Sequence, residues 1–368
     1  MVSPQSNSWK GLFAPDEGNG PGETVGLRIV QRRGEPFLIL PQEPALATQA
    51  LQLYSAQSFR ARLAKRFLHA AIRKQRRMMS TPATLRVQLR DPFVHFLQNL
   101  GQWPDPQVPA FGILAGNPST VGRRFILMLF NPKQLPVAVV KAGLDIDAKT
   151  LIGREIDFLA SISGGTPGIP VLRARFEHPR LRALAMDFFE GDSPIAKDEA
   201  GIPELLTSWL NKHKTMAVGL MRQWWELEQT CADHPVFQKL AQNLPSLIVR
   251  PTIFHGDFAP WNCKVANGGW RVLDWERGDL TGPPGYDWFH YIIQTRILVA
   301  KKSTRAITAE LLRLLDSAEF QEYARRAGFL KSRRELLLMY LLHHTEVIRP
   351  SEGLDRGRKL LQALAAQP

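Results

Sequence analysis

Three side chains within eighteen consecutive residues have the types and spacing for one reaction. Asp257 follows His255 and Gly256, Asn262 comes five residues later, and Asp274 closes an apolar run through Val272 and Leu273, just before Trp275 and Glu276. A carboxylate can accept a hydrogen bond from an attacking hydroxyl and orient it. An amide oxygen and a second carboxylate are the hard ligands that Mg2+ prefers, and the metal neutralises charge on a phosphoryl group in transit. The spacing therefore predicts phosphoryl transfer. Asp257 would orient the nucleophile, and Asn262 and Asp274 would hold the metal.

A second pair lies upstream. Lys141 ends the apolar stretch 137–141, and Glu155 follows fourteen residues later at the start of a helical segment. A strand lysine held by a helix glutamate can contact the α- and β-phosphates of a nucleotide. Asp157 is the alternative partner, but two positions along a helix it faces elsewhere. Between Gly112 and Arg123, glycines and small hydroxyls suit a loop whose backbone N–H groups approach phosphate, with Ser119 and Thr120 beside it. An ordinary turn is the other reading of that loop, and no GxGxxG is present.

These groups need elements to hold them. Apolar runs at 125–130 and 136–141 flank the turn Asn131-Pro132-Lys133 and predict two strands. A helix is expected over 150–161, then strands at 169–175 and 181–188. After 192 the pattern is mainly helical, broken by loops and short strands at 248–276. Residues 1–24 are rich in Gly, Pro, Ser and Asn and predict a loose tail. Residues 26–40 predict a hairpin around Arg32-Arg33-Gly34. Residues 55–79 have helical periodicity: Phe59, Leu63, Phe67, Ala71 and Met78 fall near one face, with Leu68 and Ile72 beside it. Arginines and lysines cover much of the rest. Such a helix packs on a neighbour with a solvated basic face, or lies on anionic lipid or a polyanionic substrate.

The His-Gly-Asp-x-x-x-x-Asn segment followed by Asp-Trp-Glu resembles the catalytic segment of the aminoglycoside phosphotransferase and choline kinase group. The resemblance implies an α+β, protein-kinase-like two-lobed fold. Its small antiparallel-sheet N-lobe would occupy 101–191 and its mostly helical C-lobe, with the catalytic loop, 192–368. Residues 1–100 would be an extra N-terminal segment. ATP with Mg2+ would bind between the lobes and give its γ-phosphoryl group to a hydroxyl. The stretch around Met186, Asp187 and Phe189 resembles the interlobe linker, whose backbone reads the adenine edge at Asp187 and Phe189 while Met186 lines the pocket. Asp287 would brace the catalytic loop or cap a helix. His255 would pack within that loop, and Asp279 would lie on a loop surface. Protein kinases have Arg where Gly256 stands and Phe-Gly where Trp275-Glu276 stand, which argues against a protein kinase. A catalytically silent nucleotide-binding module is the other alternative.

Composition narrows the partners. Of the net charge of +13, residues 1–100 supply most, with 14 Lys and Arg against 6 Asp and Glu. A local basic segment suits an anionic membrane surface through 55–79. Nucleic acid is disfavoured, because neither a zinc-finger spacing nor an RNP-like aromatic motif is present. The nearly balanced C-lobe favours a neutral or anionic acceptor, sugar-like or a glycan, over a polycation. No apolar window is long enough to span a membrane, and the N-terminus lacks a leader pattern. The two cysteines, Cys231 and Cys263, make neither a disulfide framework nor a metal spacing. The expected setting is cytoplasmic, with a peripheral position at the inner membrane face as an extension. His343, His344 and Glu346 do not predict a metal site, since adjacent histidines on a helix point apart. Trp224 and Trp225 are expected in the C-lobe core.

Overall fold

The computed structural model describes residues 8–15, 21–56, 59–74, 80–104, 107–116, 121–267 and 269–367. The chain forms two compact units, one of residues 1–164 with 170–190, the other of residues 165–169 with 191–368.

The first unit is built on an antiparallel sheet. Its strands are β1 (Gly22–Arg32), β2 (Glu35–Pro41), β3 (Thr81–Gln88), β4 (Phe111–Ala115), β5 (Arg124–Phe130), β6 (Pro136–Gly143), β7 (Leu172–Glu177) and β8 (Arg182–Asp187), in the order β3-β1-β2-β4-β5-β6-β8-β7. The β1–β2 hairpin turns through Arg33 and Gly34, both at positive φ. Two such residues match the right-handed twist of the flanking strands, which makes this two-residue turn tight. From Phe125 to Phe130, β5 is apolar because both sheet faces are covered. Phe125, Leu127 and Leu129 enter one core, and Met128 and Phe130 the other.

Helix α1 (Pro44–Ala50) and helix α2 (Phe59–Arg73) cover the second of these faces. Helix α3 (Pro92–Gly101), capped by the Asp91 carboxylate on the Phe93 N–H, covers the first. The strands of residues 1–100 thus continue the sheet that carries Lys141.

Two expectations are corrected here. The N-terminal stretch is not all loose: Trp9, Leu12 and Phe13 are buried in the core, and Phe13 stacks on Phe111 at 5.2 Å. Asp91 pins this stretch by accepting from the Ala14 N–H and from Arg180. Helix α2 also faces the other way. Leu68 and Ile72 point inward, while Leu63 and Phe67 stand 42% and 61% exposed. Periodicity finds an apolar stripe but cannot say which stripe meets a neighbour when a helix carries two. The Phe59 side chain and Met78 lie outside the described residues. Strand β3 and helix α3 have no counterpart in the sequence reading.

Helix α4 (Ile146–Ser161) packs on β6 and β8 and is capped by Asp145, which accepts from the Ala148 N–H at 2.7 Å.

The second unit is mainly helical. Its helices are α5 (Ile202–Ser208), α6 (Arg222–Cys231), α7 (Pro235–Ala241), α8 (Tyr286–Gln294), α9 (Thr304–Asp316), α10 (Ala318–Ala327), α11 (Arg333–Leu342) and α12 (Leu354–Ala365). Short strands β9 (Met216–Ala217) and β10 (Ile248–Val249) pair with each other. So do β11 (Thr252–Phe254) with β14 (Asp279–Gly282), and β12 (Cys263–Ala266) with β13 (Gly269–Val272). Every residue of α8 is buried, so this helix runs through the unit's interior and can present polar groups inward. An antiparallel sheet unit followed by a helical unit is the α+β class expected. No described helix is long and apolar enough to cross a membrane.

Candidate active site

The segment 252–276 folds into a loop closed on itself by short bonds. Strand β11 enters from the unit's core and ends at Phe254. Gly256 sits at φ +79°, and a Cβ there would lie 3.0 Å from the Arg277 Cβ, so both backbone and space call for glycine. Pro260 opens the single 3-10 turn Pro260–Asn262. The β12–β13 hairpin then returns the chain, and the Leu273 N–H donates to the Asn262 carbonyl at 2.7 Å. The His255 Nε2 donates to the Leu273 carbonyl at 2.9 Å, and its Nδ1 accepts from the Asp257 N–H at 3.1 Å. Burial drives the His255 pKa down to about 4, so the ring is neutral and its tautomer is fixed by these two bonds. His255 therefore packs within the loop as expected, with Trp275 edge-on at 4.5 Å beneath it.

Asp257 and Asn262 are brought together. The Asn262 amide donates to the Asp257 carbonyl and to its Oδ2, which leaves the Asn262 Oδ1 outside those bonds. On its other oxygen, Oδ1, Asp257 meets the His290 Nε2 at 3.0 Å. Burial alone would raise the Asp257 pKa. The His290 hydrogen bond leads the effects that outweigh it, with the positive charge of Arg277 among them, and the net shift is downward. Asp257 is thus a carboxylate suited to orienting a hydroxyl.

Asp274 follows the tethered Leu273 and adopts φ +73°. A non-glycine residue in that region is strained, and it persists where its surroundings over-determine it. Here the two bonds at Leu273 supply that constraint.

Asp287 braces the loop from helix α8. Its Oδ2 accepts from the His255 N–H at 2.8 Å and its Oδ1 from the Gly256 N–H at 3.2 Å. Burial pushes its pKa up to about 7 against the lowering effect of those two bonds.

In the first unit, the Lys141 Nζ bonds both carboxylate oxygens of Glu155, at 2.7 and 2.8 Å. Glu155 is fully buried, so each charge depends on the other. Asp157 is exposed, on another face of α4. Met186 is buried within β8 opposite Val139, while the Asp187 side chain points outward toward Arg173 and Phe189 follows the strand. Ser119 and Thr120 lie outside the described residues.

Other readings resolve locally. His343 bonds Glu226, His344 bonds Gln294 and Glu346 bonds Arg358, three different directions. Among the described residues no cluster of His, Cys, Asp and Glu is arranged to hold a metal ion. Asp279 lies in β14 and pairs with Arg222 at 3.3 Å. Trp224 is buried on Phe237, but Trp225 is largely exposed, because consecutive residues on α6 cannot both face inward. Both cysteines are buried and free.

Sequence reasoning missed His290 and Tyr340. The Tyr340 Oη lies 3.0 Å from the His290 Nδ1. A signal for His290 did exist: Asp287, His290 and Gln294 form a polar row at helical spacing within an otherwise apolar and aromatic helix. Tyr340 left no comparable signal.

Residues 203–329, about a third of the chain, match the family model described as the phosphotransferase enzyme family, APH. The match spans the loop from His255 to Glu276 and all of α8, and it agrees with the resemblance drawn from the motif. No curated protein matches the sequence. Among solved structures, a thermostable mutant of aminoglycoside phosphotransferase APH(4)-Ia, in ternary complex with ADP and hygromycin B, is 14% identical. It covers 75% of this chain and 99% of its own, with a TM-score of 0.42. Aminoglycoside phosphotransferase APH(3'')-Id from Streptomyces rimosus ATCC10970 is 15% identical over 67% of this chain and 92% of its own, TM-score 0.42. A protein described as a fructosamine-3-kinase from Haemophilus somnus 129PT is 13% identical over 74% and 96%, TM-score 0.42. These identities and scores are too low to transfer a substrate or a residue's role. What the family match and the site define together is a phosphotransferase.

Proposed function

We propose that the protein transfers the γ-phosphoryl group of MgATP to a hydroxyl of a small molecule or glycan. The observation that carries this reading is the Asp257 carboxylate, fixed beside the Asn262 amide in a loop tied at Leu273, the residue before Asp274. Asn262 spends its amide nitrogen on Asp257, so its Oδ1 is the atom left to meet a cation. Together with the Asp274 carboxylate it offers two hard oxygens. That suits Mg2+, which keeps several waters and substrate phosphates in its shell. MgATP, when bound, supplies the transferring group and the charge neutralisation. Asp257 orients the acceptor hydroxyl, and its lowered pKa fits a base that takes the proton late, as a loose transition state allows. Lys141, held by Glu155, offers its ammonium to the nucleotide phosphates. Met186 and the backbone of Asp187 and Phe189 serve the adenine, and Ser119 and Thr120 the phosphates.

The acceptor is sugar-like and neutral or anionic, in keeping with the modest charge of residues 192–368 and the basic excess of residues 1–100. The test is ADP release from MgATP across sugar, amino-alcohol and glycan acceptors, with Asp257→Ala as control and nucleotide binding followed by calorimetry. Absence of MgATP binding would overturn the reading. Binding without turnover on any acceptor would favour a silent nucleotide-binding module instead.

A cytoplasmic protein held at an anionic membrane surface through residues 55–79 is the matching reading of α2. Leu63 and Phe67 are exposed on its outward side, and Arg62, Arg66 and Arg73 run along the flank of that stripe. Burying the remaining exposed area of these two side chains gains at most about 1.5–3 kcal/mol each, and each nearby arginine adds about 1 kcal/mol on anionic lipid. A nucleic-acid surface would instead put its charges at the centre of the face. Flotation of the full chain with phosphatidylglycerol vesicles, lost on pure phosphatidylcholine and in a Leu63→Asp, Phe67→Asp variant, is the expected result. No flotation at low salt would end this reading.

A further inference from the structure

His290 joins the catalytic loop to a buried chain of donors. An ionised Asp257 can only accept, so the His290 Nε2 carries the proton in their 3.0 Å bond. With the ring proton on Nε2, the Nδ1 accepts the Tyr340 hydroxyl proton at 3.0 Å. Tyr340 stacks on His344 with ring centroids 5.5 Å apart, and the His344 Nε2 accepts from the Gln294 amide nitrogen at 2.8 Å. The bonds from Tyr340 to His290 and from His290 to Asp257 both point toward Asp257. His290, Tyr340, Gln294 and His344 are all buried, so water does not compete for these bonds. In such surroundings successive donors polarise one another. The carboxylate is gripped on both sides, with Asn262 on Oδ2 and His290 on Oδ1. Two of about four lone-pair sites are taken, one per oxygen, and the rest stay available to the acceptor hydroxyl.

We propose that His290, itself set by Tyr340, is the positioning residue that fixes the plane and rotamer of the Asp257 carboxylate for phosphoryl transfer. The proposal rests on the reading of Asp257 as the group that orients the acceptor.

The experiment uses the full chain, with two readouts. The first is 15N NMR of histidine-labelled protein without nucleotide. His290 is expected as the Nε2–H tautomer, with its ring signals moved by Tyr340→Phe and by Asp257→Ala. A Nδ1–H tautomer, or signals indifferent to both changes, would overturn the proposal. The second is the rate of MgATP hydrolysis, with water as acceptor. His290→Phe is expected to lower kcat about 10- to 100-fold with KM for MgATP nearly unchanged, as for lost support behind a reacting group. His290→Gln, which can return a donor to the Nε2 position, is expected to recover much of that loss. Tyr340→Phe should cost less, and nothing further once His290 is Phe. Should His290→Phe fail to fold, the Gln and Tyr340→Phe variants carry the same comparison. A rise in KM at constant kcat would make His290 a binding group and refute the inference. If Asp257→Ala hydrolyses MgATP like the wild type, the reading of Asp257 falls and this inference with it. If Asp257→Ala is silent while the His290 and Tyr340 variants run at the wild-type rate, only the positioning role falls.

Discussion

The side-chain amide of Asn262 donates to two oxygens of Asp257, its main-chain carbonyl and its Oδ2, each at 2.9 Å. Asn262→Asp replaces that donor with an acceptor. Both bonds are lost and a second negative charge faces the first, although an oxygen remains to meet a cation. The expected result is a kcat lower by about 10²-fold or more, from a misdirected carboxylate, and a stability loss of about 1–3 kcal/mol. ADP-release kinetics and thermal unfolding measure the two. A variant with unchanged kcat would show that the bond between these residues does not serve catalysis.

The Lys141–Glu155 pair makes a prediction about stability that does not depend on activity. Lys141→Met leaves Glu155 buried without its cation, which should cost about 3–5 kcal/mol. Adding Glu155→Leu removes the stranded charge, and the double variant should recover most of the loss. Chemical denaturation of the four proteins of the cycle reads the coupling directly. If the two losses simply add, the ions do not depend on one another as their 2.7 Å contact implies.

Asp287 holds two main-chain N–H groups of the catalytic loop. Asp287→Leu strands both, at about 1–3 kcal/mol each, and frees the loop. Asp287→Asn keeps one carboxamide oxygen and should lie between wild type and Leu in both melting temperature and kcat. Equal losses in the two variants would indicate that Asp287 acts through its charge.

Two buried neutral histidines predict how stability changes with acid. Burial and the neighbouring histidines His290 and His343 hold the His344 pKa at about 3, and burial holds that of His255 at about 4, both below the ordinary 6.5. Below pH 6.5 the unfolded chain takes up protons at these two positions that the folded chain refuses. Their contribution to stability is therefore complete above about pH 6.5 and is lost as pH falls toward 4 and 3. Each adds up to about 1.4 kcal/mol per pH unit to the decline. Unfolding free energy followed from pH 7 to pH 5 should fall less steeply in His344→Gln than in the wild type. Equal slopes would mean that His344 gains its proton as easily folded as unfolded.

Local covalent spacing determined much of this protein by itself. The Arg33-Gly34 hairpin, the β5–β6 pair, helix α4 and the Lys141–Glu155 contact were legible because each depends on residues no more than about twenty apart, with turn chemistry and apolar periodicity to set them. The Asp257–Asn262 contact was legible for the same reason: a few residues of chain leave few ways to bring an amide beside a carboxylate. The tertiary structure decided the rest. His290 reaches Asp257 from 33 residues away, and Tyr340 reaches His290 from 50, through helices whose mutual rotation is set by packing. The same holds for α2, where α1 and β2 chose Leu68 and Ile72 and left Leu63 and Phe67 outside, and for Trp9 and Phe13, which joined a core that their own composition did not foretell. A sequence records which faces are apolar. Which face meets which is fixed only when the elements compete for the same interior volume.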